Sequence, residues 1–111
     1  MTDLTIAELA RKNQELRQLV TRLSAIVLRD AVERRELAAR APQVLMTPIE
    51  RVARLREFAQ QSGQLRGISL RLMQMGLACR DAQAADGLKG LAAAFAAEAG
   101  RVDALISTAR G

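Results

Sequence analysis

Apolar side chains fall on one face of the first part of the chain. Leu9, Leu16, Leu19, Val20, Leu23, Ile26 and Val27 recur at helical spacing; Asp30 and Arg34 then occupy the same face before Leu37 resumes it. Neither Pro nor Gly interrupts the run, and Thr5 with Glu8 has capping-box spacing at its start. The pattern predicts one continuous helix from about Ile6 to Arg40, ~50 Å long at ~1.5 Å per residue. A compact chain of 111 residues has a radius of gyration of only ~13 Å. The molecule is therefore expected to be elongated, oligomeric or both.

Every later segment also reads as helix, with no alternating strand pattern and no hairpin signal. Pro42 disfavours α geometry at Ala41, which ends the first helix near Arg40. Val44, Leu45 and Met46 are expected to fold over one end of the core. Thr47-Pro48-Ile49-Glu50 is a specific start signal, with a capping Thr, Pro at the first helical position and Glu completing the box. The second helix, 48–62, is expected to bury Ile49, Val52, Ala53, Leu55, Phe58 and Ala59. Ser62-Gly63 marks a stop or kink, and a third helix follows over 64–80. The fourth, 82–109, carries one stripe of Leu88, Leu91, Ala92, Phe95, Ala99, Val102, Leu105, Ile106 and Ala109. Asp81 or Asp86 can cap its start.

Helix one, helices two and three together, and helix four have similar lengths. The expected fold is a single all-α domain over 1–111, an elongated antiparallel bundle of three to four helices whose middle rod breaks at Gly63. A four-helix version with a sharp corner at Gly63 competes with it.

Composition narrows the chemistry. Half of the chain is apolar, enough for a core without disulfides, and the single Cys79 cannot form an internal bridge. The start, Met-Thr-Asp-Leu-Thr, lacks a signal-peptide pattern, and no apolar run approaches the ~20 residues needed to span a bilayer. A soluble cytoplasmic protein is expected. Fifteen of the seventeen basic residues are Arg and Ala occurs twenty-one times, as a GC-rich bacterial genome would produce. There is no His, Trp or Tyr, which removes the commonest general base and transition-metal ligand. Cys79 lies in register with Leu65, Ile68, Leu72 and Met75, reading as a small core hydrophobe. Most acids alternate with Arg along helices, as in Glu15 with Arg11, which reads as solvated pairing. No acidic cluster suits a metal and no Gly-rich loop suits a phosphate. No catalytic residue, metal or cofactor is expected, and the chain reads as a non-enzyme.

Interaction surfaces stand out more. The third helix carries a second apolar stripe, Leu70, Met73 and Leu77, well around the cylinder from the first. It either meets another helix of the bundle or forms an interface. Asp30 and Arg34 have the favourable acid-first i,i+4 order. Buried, such a pair would fix register or partner choice; if the bundle ends near Val27, the last turns project as a solvated stalk. Leu70, Met73, Leu77, Asp30 and Arg34 are thus the candidate partner-interface residues.

The net charge of +5 suits an acidic partner or nucleic acid. Residues 42–80 hold six Arg against two Glu, and 48–80 faintly resembles a helix-turn-helix. Ala59 and Gly63 have the small-residue spacing and Leu72 fits a later core position, but Ser69 stands where an apolar residue is wanted, with Ile68 one place early. Arg51, Arg54, Arg66 and Arg71 are the candidate nucleic-acid contacts. Membrane-surface binding lacks the aromatic anchors it normally uses. The sequence reads best as a non-catalytic cytoplasmic interaction protein (adaptor, chaperone-like binder or regulator) acting by helix-to-helix contact. Its expected partners are a second copy of itself and an unidentified protein, with no membrane contact; a DNA-binding transcriptional regulator is the alternative.

Overall fold

In a computed structural model, which describes residues 3–40 and 47–110, the chain forms three helices: α1 (Asp3–Arg40), α2 (Pro48–Ala78) and α3 (Ala82–Arg110). The fold is all-α and elongated, 66 × 19 × 17 Å with a radius of gyration of 18.5 Å. That exceeds the ~13 Å of a compact chain of this length. Among the described residues, no helix is long and apolar enough to cross a membrane. The segment holding Val44, Leu45 and Met46 lies outside the described residues.

The core is built on α3. Leu88, Ala92, Phe95, Ala99 and Val102 recur at three- and four-residue intervals and are almost wholly buried, meeting Phe58, Leu65 and Leu72 of α2. This is the stripe that the fourth-helix pattern predicted. Asp81 settles the start of α3: its carboxylate accepts from Gln83 N and its carbonyl from Ala85 N. Only Cys79, Arg80 and Asp81 join α2 to α3, so the two form a tight antiparallel hairpin. Next to that turn Gly76 lets the backbones approach. A Cβ there would lie 3.2 Å from the Ala85 carbonyl oxygen and 3.0 Å from Lys89 Cγ.

The predicted break at Gly63 is absent. α2 runs unbroken from Pro48 to Ala78, and Gly63 is an exposed helical residue with open space where a Cβ would be. Without a break there is no corner, and the segment compared with a helix-turn-helix is one rod. Ser69, the residue that fits that motif poorly, instead donates a hydrogen bond to the Ala92 carbonyl across the hairpin at 2.6 Å. The start of α2 is as the pattern predicts. Thr47 Oγ1 accepts from Glu50 N, and Glu50 Oε2 accepts from Thr47 N. At the other end of the chain Thr5 lies inside α1 rather than at its cap, because the helix begins by Asp3.

Two offsets decide what is covered. Ser62 meets Asp103 and Gly76 lies beside Ala85 and Leu88, so the first turns of α2 reach past the end of α3. Ile49, Val52 and Ala53, expected in the core, are therefore exposed, Ile49 by 82%, and Ala59, although level with α3, is exposed as well. Only Phe58 and, partly, Leu55 are covered. Likewise Arg35 of α1 meets Glu98 of α3, which places the start of α3 beside the middle of α1. Residues 5–16 are exposed without exception, and partial cover follows them at Arg17. The projecting part of α1 is its N-terminal third, not the last turns that the sequence offered as a stalk.

Candidate functional site

α1 reaches the hairpin through a few apolar side chains and two polar ties. Leu28, Ala31 and Ala38 rest on the core, and Arg35 Nε donates to Glu98 Oε2 at 2.5 Å. Glu98 is completely buried, and Arg101 Nη1 approaches its other oxygen at 3.5 Å. Glu98 has the seven-residue spacing of Leu91 and Leu105, so it replaces an apolar residue on the α1-facing side of α3. Arg54 adds a second tie, donating to the Ala38 carbonyl at 2.6 Å while its guanidinium carbon sits 5.6 Å from the Phe58 ring centroid.

A second polar cluster clamps the hairpin. Buried Ser62 donates to Asp103 Oδ1 at 2.6 Å and accepts from Arg66, which also pairs with Asp103 Oδ2. The Arg66 hydrogen bond, with Ser62 adding to it, holds the Asp103 carboxyl below its ordinary range, and the same bond raises the Arg66 guanidinium. Two of the four arginines proposed as nucleic-acid contacts, Arg54 and Arg66, are thus engaged within the chain. Arg51 and Arg71 are exposed, and Arg71 lies ~140° around α2 from Arg66 at ~100° per residue.

The seam of α1 lies at the surface. Ile6, Leu9, Leu16, Leu19, Leu23, Ile26, Val27 and Leu37 are between 45% and 66% exposed, whereas Val20 packs on the core. Leu9, Leu16, Leu23 and Leu37 follow a strict seven-residue period, with Asp30 in the remaining place. The residue after a seam position, such as Ala31 after Asp30 or Ala38 after Leu37, faces the core. Consecutive helical residues stand ~100° apart, so α1 has two adjacent faces. The face that carries Val20, Leu28, Ala31, Arg35 and Ala38 docks in the bundle; the one with Leu9, Leu16, Leu23 and Leu37 does not.

α1 and α2 both lie on α3 but scarcely meet each other. Between them runs a groove walled by Val27, Asp30 and Arg34 on one side and Gln64 and Ile68 on the other, with Leu65 and Val102 below. Asp30 and Arg34 are exposed at its rim, and no ion pair joins them among the described residues. Of the second stripe on α2, Leu70 and Leu77 are 59% and 70% exposed, whereas Met73 is half-buried against the core. Cys79 is not in the core: it is the half-buried C-cap of α2, its N–H bonded to Gly76 O at 3.3 Å.

A broader cleft of about 750 Å3 lies between the middle of α1 and the α2–α3 turn. Its charged members, among them Arg17, Arg22, Arg80 and Asp81, are spread around an open rim. Among the described residues, no group of three or more His, Cys, Asp or Glu could hold a metal ion. Glu98 and the Asp103 clamp escaped the sequence reading; the signal for Glu98 was its seven-residue spacing from two leucines. Comparison with protein-family models, curated proteins and solved structures finds no match.

Proposed function

We propose that this chain is a non-catalytic helical interaction protein that works as a homodimer through the Leu seam of α1. The exposed, strictly periodic seam carries the reading. Each such side chain gains roughly 1.5–3 kcal/mol when fully buried, and seven-residue spacing is the pattern by which helices pair along their length. The exposed area points the same way. The chain presents 7978 Å2, whereas a compact monomer of its mass would present about 6,000 Å2. The difference, about 2,000 Å2 per chain, is of the size that obligate dimers bury.

The absence of His and of any Gly-rich phosphate loop from the sequence supports a binding role over a catalytic one. Leu70, Leu77 and the exposed Ile49 and Val52 on α2 offer a second apolar face for a different protein.

Sedimentation equilibrium tests the reading. The native chain is expected to be dimeric at micromolar concentration, and Leu16→Glu with Leu23→Glu is expected to yield a monomer with its helix content largely kept. A native chain that remains monomeric at hundreds of micromolar would refute the proposal.

A further inference from the structure

We infer that the groove between α1 and α2 receives the N-terminal third of α1 from a second copy, in an antiparallel two-fold pair centred between Gln18 and Leu19. The inference rests on the dimer reading above and fixes its geometry.

Charge sets the direction. Glu8, Glu15, Arg22 and Arg29 are all exposed, lie seven residues apart and each directly precede a seam position. They therefore form one edge of the seam, acidic in its first half and basic in its second. Antiparallel pairing about the stated centre sets Glu15 opposite the partner's Arg22 and Glu8 opposite the partner's Arg29, twice each by symmetry. The same register brings Leu9 and Leu16 beside the partner's Ile26 and the partner's Leu19, side chains that their own chain leaves exposed. A parallel pair would instead stack Asp30 on the partner's Asp30 and Arg34 on the partner's Arg34 within the seam.

The shape of the single chain asks for the same arrangement. Val27, Asp30 and Arg34 belong to the seam and also wall the groove, so a helix lying along the seam enters the groove at its C-terminal half. In this register the segment that enters is residues 3–10 of the partner, bringing the partner's Ile6 and the partner's Leu9 toward Ile68 and Val102. Residues 5–16 are the part of α1 that its own chain leaves exposed throughout. Each end of the dimer then becomes a four-helix bundle, with three helices from one copy and the projecting third from the other. In a parallel pair the two projecting thirds would meet only each other and both grooves would stay open.

Spin labels decide the matter. In a Cys79→Ser background, Ala7→Cys places one label per chain at an exposed site on the projecting third. The antiparallel pair sets residue 7 opposite residue 30 of the partner, an axial offset between the two labels of ~35 Å at ~1.5 Å per residue. A label distance near that value is the expected result. A distance close to the ~10 Å spacing of adjacent helices would overturn the antiparallel geometry while leaving the dimer intact; a monomer would remove the dimer reading itself. Charge reversal gives an independent readout. Glu15→Arg or Arg22→Glu alone is expected to raise the dimer dissociation constant about tenfold, and the two together in one chain to restore it. Failure of the double reversal to recover affinity would overturn the register.

Discussion

Glu98 of α3, with no exposed surface, meets Arg35 of α1 at 2.5 Å, and sixty-three positions of sequence separate the two. Removing one member of a buried pair strands the other, which costs ~3–5 kcal/mol, whereas apolar replacement of both is often neutral or better. Arg35→Ala is expected to destabilise the chain by about 3 kcal/mol, because Arg101 is mostly solvated and approaches the carboxylate only at 3.5 Å. Arg35→Leu with Glu98→Leu is expected to lose far less. Urea unfolding of the single and double variants measures the difference, and equal losses would show that the pair does not act as a unit.

The two kinds of glycine in α2 make opposite expectations. Gly63 faces open space in mid-helix, so Gly63→Ala is expected to stabilise by ~0.5–1 kcal/mol through helix propensity alone. Gly76 faces the Ala85 carbonyl and Leu88 Cβ at 3.2 and 3.5 Å, and Gly76→Val is expected to push the hairpin apart and lower the melting temperature. A destabilising Gly63→Ala would mean that the rod bends there.

Acid should loosen the clamp on Asp103. Because its folded carboxyl ionises below the ordinary 3.8, its stabilisation is complete above that value and declines as pH falls through the folded value. The Arg66–Asp103 pair is half exposed, so the effect is small. Asp103→Asn should lower stability at neutral pH and flatten the fall below about pH 4, as read by urea midpoints across that range.

Thr47→Ala removes the hydroxyl that accepts from Glu50 N. Loss of such a cap costs ~1 kcal/mol, and helix content should fall first at the start of α2. Hydrogen exchange resolved along α2 checks this: unchanged protection over 49–52 would show that Pro48 alone secures the turn.

How much of this was written in the residues varies from element to element. The α3 stripe was legible because all its large apolar positions agree on one face, and the Thr47–Glu50 box because both partners are local. Gly63 misled because glycine weakens a helix without obliging it to break, and the hairpin contacts of Ser62 and Ser69 hold α2 straight on both sides. Glu98 was hidden for a different reason. A carboxylate in an Ala-rich helix reads as solvated until its opposite number, here on a helix two elements away, is known. The seam of α1 was visible but its exposure was not, since periodicity reports an apolar face and says nothing of how far the neighbouring helices extend. Ile49 and Val52 were misplaced by the same ignorance of offset.

The order of the chain gives the Arg35–Glu98 contact a consequence at the ribosome. α1 is complete long before Glu98 is made, and at ~5–20 residues per second the interval of sixty-three positions lasts roughly 3–13 s. Throughout that time both faces of α1 are bare, the docking face as much as the Leu seam. Two chains growing on one message can therefore meet through their seams before either has a hairpin to fold against. Selective capture of nascent chains that end before residue 90 would show such early pairing, and its absence would place assembly after release.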